Sequence, residues 1–324
     1  MNRRQFNQYA VSLVALGAMG AVKAAPAYPS KPLKVIVPFS VGGSTDVVTR
    51  LIGQHLSEAI KQPVVVENRV GGGGTIGWSS VARAAADGYT LLTAETSFAI
   101  AAGLLPNLSF DPRKDFSQIT VAASVPHVMV INPSLPVKNV AELLALAKKD
   151  PSAMFYGSGG VGTNTHLGGE LFNSVTGVKL THVPYKGASA VLADLVGGQV
   201  QVMISSIPTA LPHIRSGKLR ALMVTDDQRS AALPDVPSAV EAGVPDMKMR
   251  FWIGFAVPTG TPDAIVQQLN KAIVAVVNTP EIKQQLNQQG LDVVGNSSAD
   301  AQAQVLAEID RWAKLIKEAG ISAA

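Results

Sequence analysis

The sequence predicts an α/β protein with two mainly parallel sheets, each flanked by helices. Three observations carry this prediction. Short apolar, β-branched runs alternate with stretches whose apolar residues recur at helical spacing, first at 33–39 and 47–60. The alternation starts afresh at 125–131 and runs on to 219–224. Glycines stand where strand-like runs hand over to helix-like ones, as at Gly42-Gly43 and across 157–162. With 324 residues, 47% of them hydrophobic, the chain can bury a core in each sheet. It has no cysteine, which excludes a disulfide framework, thiolate metal sites and cysteine nucleophiles together.

In chain order, the run 33–39 (LKVIVPF) reads as a strand buried on both faces. Helix 47–60 follows, with Val47, Val48, Leu51, Ile52, Leu56 and Ile60 at helical spacing. Next come strand 64–67, a glycine loop at 71–74, helix 76–86, the Asp87-Gly88 turn and strand 89–94. The second series comprises strand 125–131, helix 140–149 stopped at Asp150-Pro151, and strand 154–156. It continues with helix 165–176, strand 179–183, helix 188–197 and strands 200–205 and 219–224. A last strand, 251–257, precedes helix starts at Thr261-Pro262 and Thr279-Pro280. Gly290 and Gly320 read as helix stops. The final helix, 299–319, carries Leu306, Ile309, Trp312, Ala313 and Ile316 on one stripe that needs a partner.

The formal charge is +4, from 27 Lys and Arg against 23 Asp and Glu. Its location decides what it means. Residues 1–24 hold Arg3, Arg4 and Lys23 with no acid, around an apolar stretch that ends at Val22-Lys23-Ala24. A basic end, a short apolar run and a small-x-Ala site read as a secretory signal peptide, too short for a comfortable membrane span. Arg3-Arg4-Gln5-Phe6 also resembles a twin-arginine signal. Cleavage after Ala24 leaves a mature charge of +1, which removes the electrostatic basis for binding nucleic acid.

The glycine loops after strands aim backbone N–H groups and positive helix ends outward, which suits anions; they also simply permit tight turns. Gly72-x-Gly74-x-x-Gly77 has the letters of a dinucleotide fingerprint, with Glu95 roughly where a ribose-binding acid falls, but Asn68-Arg69-Val70 separate it from its strand. The stretch 157–163 looks like a phosphate loop with Asn164 in place of the lysine. Neither Ser44 nor Ser158 sits in G-x-S-x-G. The five histidines lack metal-ligand spacing: His166 and Glu170 share a helix face without a third ligand. No metal and no cofactor is expected. Asp46 reads as a helix-start carboxylate or as a contact for a cationic ligand group, and Phe39 as a core residue or a cleft wall.

Several stretches, in order along almost the whole mature chain, carry a resemblance. They include Pro38-Phe39-x-x-Gly42-Gly43-x-x-Asp46, Glu67-Asn68-Arg69, Asp87-Gly88-Tyr89-Thr90-Leu91-Leu92 and Gly157-Ser158-x-Gly160-x-Gly162-Thr163. His166-Leu167-x-Gly169-Glu170, His182-Val183-Pro184-Tyr185-Lys186-Gly187 and Leu233-Pro234-Asp235-Val236-Pro237 follow. The combination resembles the Bug family, the tripartite tricarboxylate transporter (TctC-like) solute-binding proteins of the bacterial periplasm. The resemblance implies a two-lobed periplasmic binding protein, type II-like, with a cleft between lobes and no enzymatic activity. Lobe 1 would comprise 25–127 and 251–324, lobe 2 the inserted 128–250, with crossings near 125–128 and 249–252. The ligand would be a small di- or tricarboxylate or aromatic acid. The partner would be an inner-membrane transporter of that type or a sensor protein, and the chain itself a monomer.

Carried over by position, Phe39, Gly43, Ser44 and Asp46 would line one jaw, and Ser158, Thr163, Asn164 and His166 the other. Ser97 and Ser205 would stand at strand ends facing the cleft, and Tyr185 would close the lobe 2 wall. Where many relatives carry an acid, residues 200–206 read VQVMISS, which favours a carboxylate without an amino group. The rival from another class is a secreted α/β hydrolase using Ser158 and His166.

Overall fold

The first sheet grows around a central strand whose apolar residues leave almost no surface to solvent. The computed structural model describes residues 28–105, 107–150, 154–318 and 320–322, so the signal peptide expected at 1–24 and the helix-stopping Pro151 lie outside the described residues. In β1 (Leu33–Val37), Leu33, Val35, Ile36 and Val37 are all buried. β1 pairs in parallel with β2 (Val64–Asn68) on one side and β3 (Thr90–Glu95) on the other. Helices α1 (Ser44–Ile60) and α2 (Thr75–Ala82) make the two crossovers. The α1 stripe buries Val48, Ile52 and Leu56, as its spacing predicts. The described residues from Lys31 onward form one compact unit.

After β3 the chain turns at once into α3 (Thr96–Leu104), then β4 (Phe116–Ile131), α4 (Val140–Lys149) and β5 (Phe155–Ser158). α5 (Asn164–Thr176), β6 (Thr181–Pro184), α6 (Ala188–Val196), β7 (Val202–Ser206), α7 (Ile207–Arg215) and β8 (Arg220–Val224) complete the middle of the chain. β9 (Arg250–Pro258), α8 (Asp263–Val277), α9 (Pro280–Gln288), β10 (Asp292–Val293) and α10 (Ser298–Glu318) close it. The strands run in the order β2-β1-β3-β9-β4-β7-β5-β6, with β8 and β10 also on β4.

Two α/β lobes result, and β4 serves both. From Phe116 to Pro126 it lies antiparallel to β9, whereas from His127 to Ile131 it pairs with β7 and β8. The sheets are therefore parallel at β2-β1-β3 and β6-β5-β7 but antiparallel at β3-β9-β4-β7. The sequence reading found only the last part of β4, because Ser117, Gln118, Thr120 and Ser124 break the apolar run. Tertiary partners meet part of this polarity: the Thr120 hydroxyl donates to the Asn296 carbonyl at 2.9 Å, and the Gln118 main-chain N–H donates to Gln302 Oε1.

Two helices escaped the sequence reading. α3 is apolar on every side (Phe98, Ala99, Ile100 and Ala101 are all buried), so it shows no helical period. α7 contains Pro208 in its first turn and Pro212 inside, and proline reads as a breaker. α3 also covers the buried Ile309 and Trp312 of α10, the partner that stripe requires. Beside it Phe98, Phe116, Phe110 and Trp78 pack edge to face at centroid distances of 5.1–6.4 Å. Phe39 joins this cluster edge-on to Trp78 at 6.3 Å, which anchors the loop after β1.

Candidate functional site

A cleft of about 890 Å³ opens where strand ends of both lobes meet, within the ordinary range for small-molecule pockets. The loop after β1 forms one wall. Gly42 sits at φ +82°, a turn that an L side chain resists. Its amide donates to Asp46 Oδ2 at 2.9 Å, while Arg50 Nε and Asn68 Nδ2 donate to Oδ1 at 2.9 and 2.8 Å. Asn68 also donates to the Phe39 carbonyl. Burial pushes the Asp46 carboxyl up, but the bonds from Arg50, Gly42 and Asn68 outweigh it and hold the group below its usual range. Asp46 is thus a buried clamp beneath the loop and lies off the cleft wall, while Phe39, Gly43 and Ser44 line it.

The glycine turn 71–74 continues this wall. Gly74 (φ +110°) leaves no room for a Cβ, which would stand 2.5 Å from the Trp78 ring. The literal dinucleotide motif is therefore explained by chain packing. Glu95 and Ser97, at the join of β3 and α3, form the floor. Glu95 caps α3 by accepting from the Ser97 amide at 2.9 Å.

The opposite wall comes from the loop between β5 and α5. Thr163 caps α5, donates to the Gly160 carbonyl at 2.7 Å and accepts from the His166 amide. Asn164 reaches across the cleft: its backbone N–H donates to Ser97 Oγ and its side chain to Glu95 Oε2, both at 3.1 Å. Thr163 and Asn164 line the cleft, as do Tyr185 and Ser205. The Tyr185 hydroxyl donates to Asp194 at 2.8 Å.

Ser158 and His166 lie under this loop, off the wall. The Ser158 hydroxyl meets His182 Nε2 at 2.6 Å, and His182 stacks between Tyr156 and His166. His166 Nδ1 accepts from the Gly162 amide, which makes that nitrogen unprotonated. Burial pushes both imidazoles down to about 4. Both Ser158 and His166 are buried, so neither presents a nucleophile or base to the cleft, and the hydrolase alternative finds no support.

Several wall residues were missed from sequence. Ser206 and Thr209 belong to the start of α7, itself unread; Ser44 Oγ reaches Thr209 Oγ1 at 2.7 Å and so links the two walls. Phe251 waits on the pairing of β9. Glu95 stands alone in its stretch, and only burial singles it out: burial pushes its carboxyl up to about 7 against the bonds from Ser97 and Asn164.

Five helices have their first turns at this cleft: α1 with Ser44, α3 with Ser97, α5 with Asn164, α6 with Ala188, and α7 with Pro208 just after Ser206. At α1, α6 and α7 no side chain caps the first turn, leaving backbone N–H donors and positive dipole ends aimed inward. Among the described residues, the charged side chains on the wall are Glu95 and Lys186 alone. Val70, Leu192 and Phe251 add apolar surface. Chemically, this is a place for a small anion with a hydrocarbon body. Among the described residues there is no group of three metal-ligating side chains, and no helix is long and apolar enough to cross a membrane.

Residues 48–321 match the model of the tripartite tricarboxylate transporter family receptor, TctC. Protein BugT of Bordetella pertussis is 36% identical over 290 residues, covering 89% of each chain. An R. palustris protein whose structure was solved with adipate superposes with a TM-score of 0.87 at 38% identity, covering 91% of this chain and 99% of that one. MatC from Rhodopseudomonas palustris, with bound malate, gives 0.84 at 32% identity, covering 89% and 100%.

Proposed function

The chain belongs to the tripartite tricarboxylate transporter family of receptors, and from that premise we propose that its cleft captures a small organic carboxylate for transport or sensing. The observation that carries this reading is the convergence of five helix N-termini, three without side-chain caps, on a cleft with little fixed charge. Backbone donors stabilise a carboxylate without the desolvation of a buried lysine pair. The carboxylate meets the donors of Ser44, Ser97, Asn164 and Ser205, Thr163 borders it while its hydroxyl holds the loop, and the hydrocarbon body lies against Phe39, Val70 and Phe251. Gly43 lets the ligand approach the backbone, and Tyr185 borders the far wall. Asp46, Ser158 and His166 serve as supports beneath the loops. The adipate and malate of the structural relatives support a ligand without an amino group.

Lobe 1 takes 25–127 and 251–324 and lobe 2 takes 128–250, hinging where β4 changes partners at Pro126-His127 and where β9 begins. The chain works in the periplasm after removal of 1–24, as a monomer and without catalysis, and hands its ligand to a transporter of the family's type or to a sensor. The test is calorimetry and thermal shift on the mature chain with adipate, malate and benzoate. One-site binding with the ligand recovered unchanged is expected. Consumption of a bound acid, or no binding by any carboxylate, overturns the reading.

A further inference from the structure

Glu95 is 1% exposed, borders the cleft, and uses its two oxygens unequally. Oε2 accepts from the Ser97 amide and from Asn164. The Ser97 hydroxyl also bonds to the carboxyl, yet among the described residues Oε1 has no hydrogen-bond partner. A buried carboxyl oxygen without a donor is where a proton sits when the group is neutral. A second carboxylate brought into the same cleft makes the shared charge untenable, because two like charges at close range in a buried site cannot both persist. Resting on the reading of the cleft as a carboxylate site, we infer that ligand capture is proton-linked: the carboxylate binds together with one proton, held between Glu95 Oε1 and a ligand oxygen.

The surroundings leave Glu95 as the group that responds. On β9, Arg250 is held by Asp226 and Asp292. On β4, burial holds the His127 imidazole down at about 4, and on α5 His166 is held likewise. Both histidines are neutral wherever Glu95 titrates. On the far wall stand Lys186, ahead of α6, and His213, in α7. Burial, with no charged neighbour contributing, raises Glu95 to about 7.

The experiment is calorimetry of adipate and malate binding to the mature protein, in buffers of differing ionisation enthalpy, from pH 6 to pH 9. With a free value of about 7, uptake should be about 0.9 proton per site at pH 8 and about 0.1 at pH 6. Kd should rise about tenfold per pH unit above 7. Glu95→Gln, which presents a permanent N–H in place of the acid proton, should bind with the wild-type low-pH affinity at every pH and take up no proton. His213→Gln should retain the uptake. Adipate or malate binding without proton uptake at pH 8, or uptake that persists in Glu95→Gln or vanishes in His213→Gln, overturns the inference and leaves the carboxylate reading intact. Failure of every carboxylate to bind overturns both. Should Glu95→Gln not fold, the wild-type proton count alone decides.

Discussion

Asp46 gives the sharpest test of how the cleft is built. Its carboxylate is buried and accepts from the Gly42 amide, Arg50 Nε and Asn68 Nδ2 at 2.8–2.9 Å. Hydrogen bonds to a charged group are worth about 1.5–3 kcal/mol each. Arg50 is 45% exposed, regains water when released, and contributes little to the loss. The Gly42 and Asn68 donors are left inside, so Asp46→Ala should destabilise by about 3 kcal/mol, a fall in Tm of roughly 6–12 °C. The loop it holds carries Phe39, Gly43 and Ser44, so adipate affinity should fall together with stability. The folded carboxyl titrates below the ordinary aspartate value of 3.8, so its contribution is present above that pH and lost as pH falls through the folded value. The stability gap between wild type and Asp46→Ala should therefore close on acidification. Urea unfolding at pH 7 and pH 3, beside calorimetric affinity, checks all of this. A large loss of affinity with unchanged stability would refute the clamp and make Asp46 a ligand contact.

Other outcomes follow from the same geometry. Thr163→Ala should cost about 1 kcal/mol of stability through the lost cap of α5, while Thr163→Ser retains it; equal stability of all three in urea would remove the cap. Gly43 lies at φ −74°, and a Cβ there meets only the Ser40 carbonyl, at an ordinary 3.5 Å. Gly43→Val should therefore leave the urea midpoint nearly unchanged and weaken adipate binding, as measured by calorimetry. Burial holds His127, His166 and His182 down at about 4. Their neutral forms stabilise the fold fully above the ordinary histidine value of 6.5, and that stability is lost as pH falls from 6.5 toward 4. Each contributes up to about 1.4 kcal/mol per pH unit, with Glu95 opposing them. Unfolding midpoints at pH 7 and pH 5 should show the decline, and His182→Gln should make it shallower.

The parallel units were legible because each rests on local pattern: β1 on its unbroken apolar run, α1 on its stripe, and the loops after β1 and β5 on their glycines. Phe39, Gly43, Ser44, Ser97, Thr163, Asn164, Tyr185 and Ser205, which the family resemblance implied by position, all line one cleft. Composition and order of motifs were enough to point to two α/β lobes and a family of receptors. What escaped depends on partners far along the chain. β4 is a strand because β9, β7 and β8 pair with it and because Asn296 and Gln302 accept from the Thr120 hydroxyl and the Gln118 main-chain N–H. α7 forms despite its prolines, and it delivers Ser206 and Thr209 to the wall opposite Ser44. Side-chain direction was also beyond the sequence. Asp46, Ser158 and His166 share motifs with wall residues, yet their polar atoms are consumed by Gly42, His182 and Gly162 beneath the surface. Glu95 is the converse case. Alone in its stretch it is an ordinary acid, and only its burial in the folded chain removes water, raises its carboxyl and leaves one oxygen without a hydrogen-bond partner. Local pattern thus determines which elements form and what chemistry they bring, while burial and long-range pairing decide which side chains face the ligand and in which charge state.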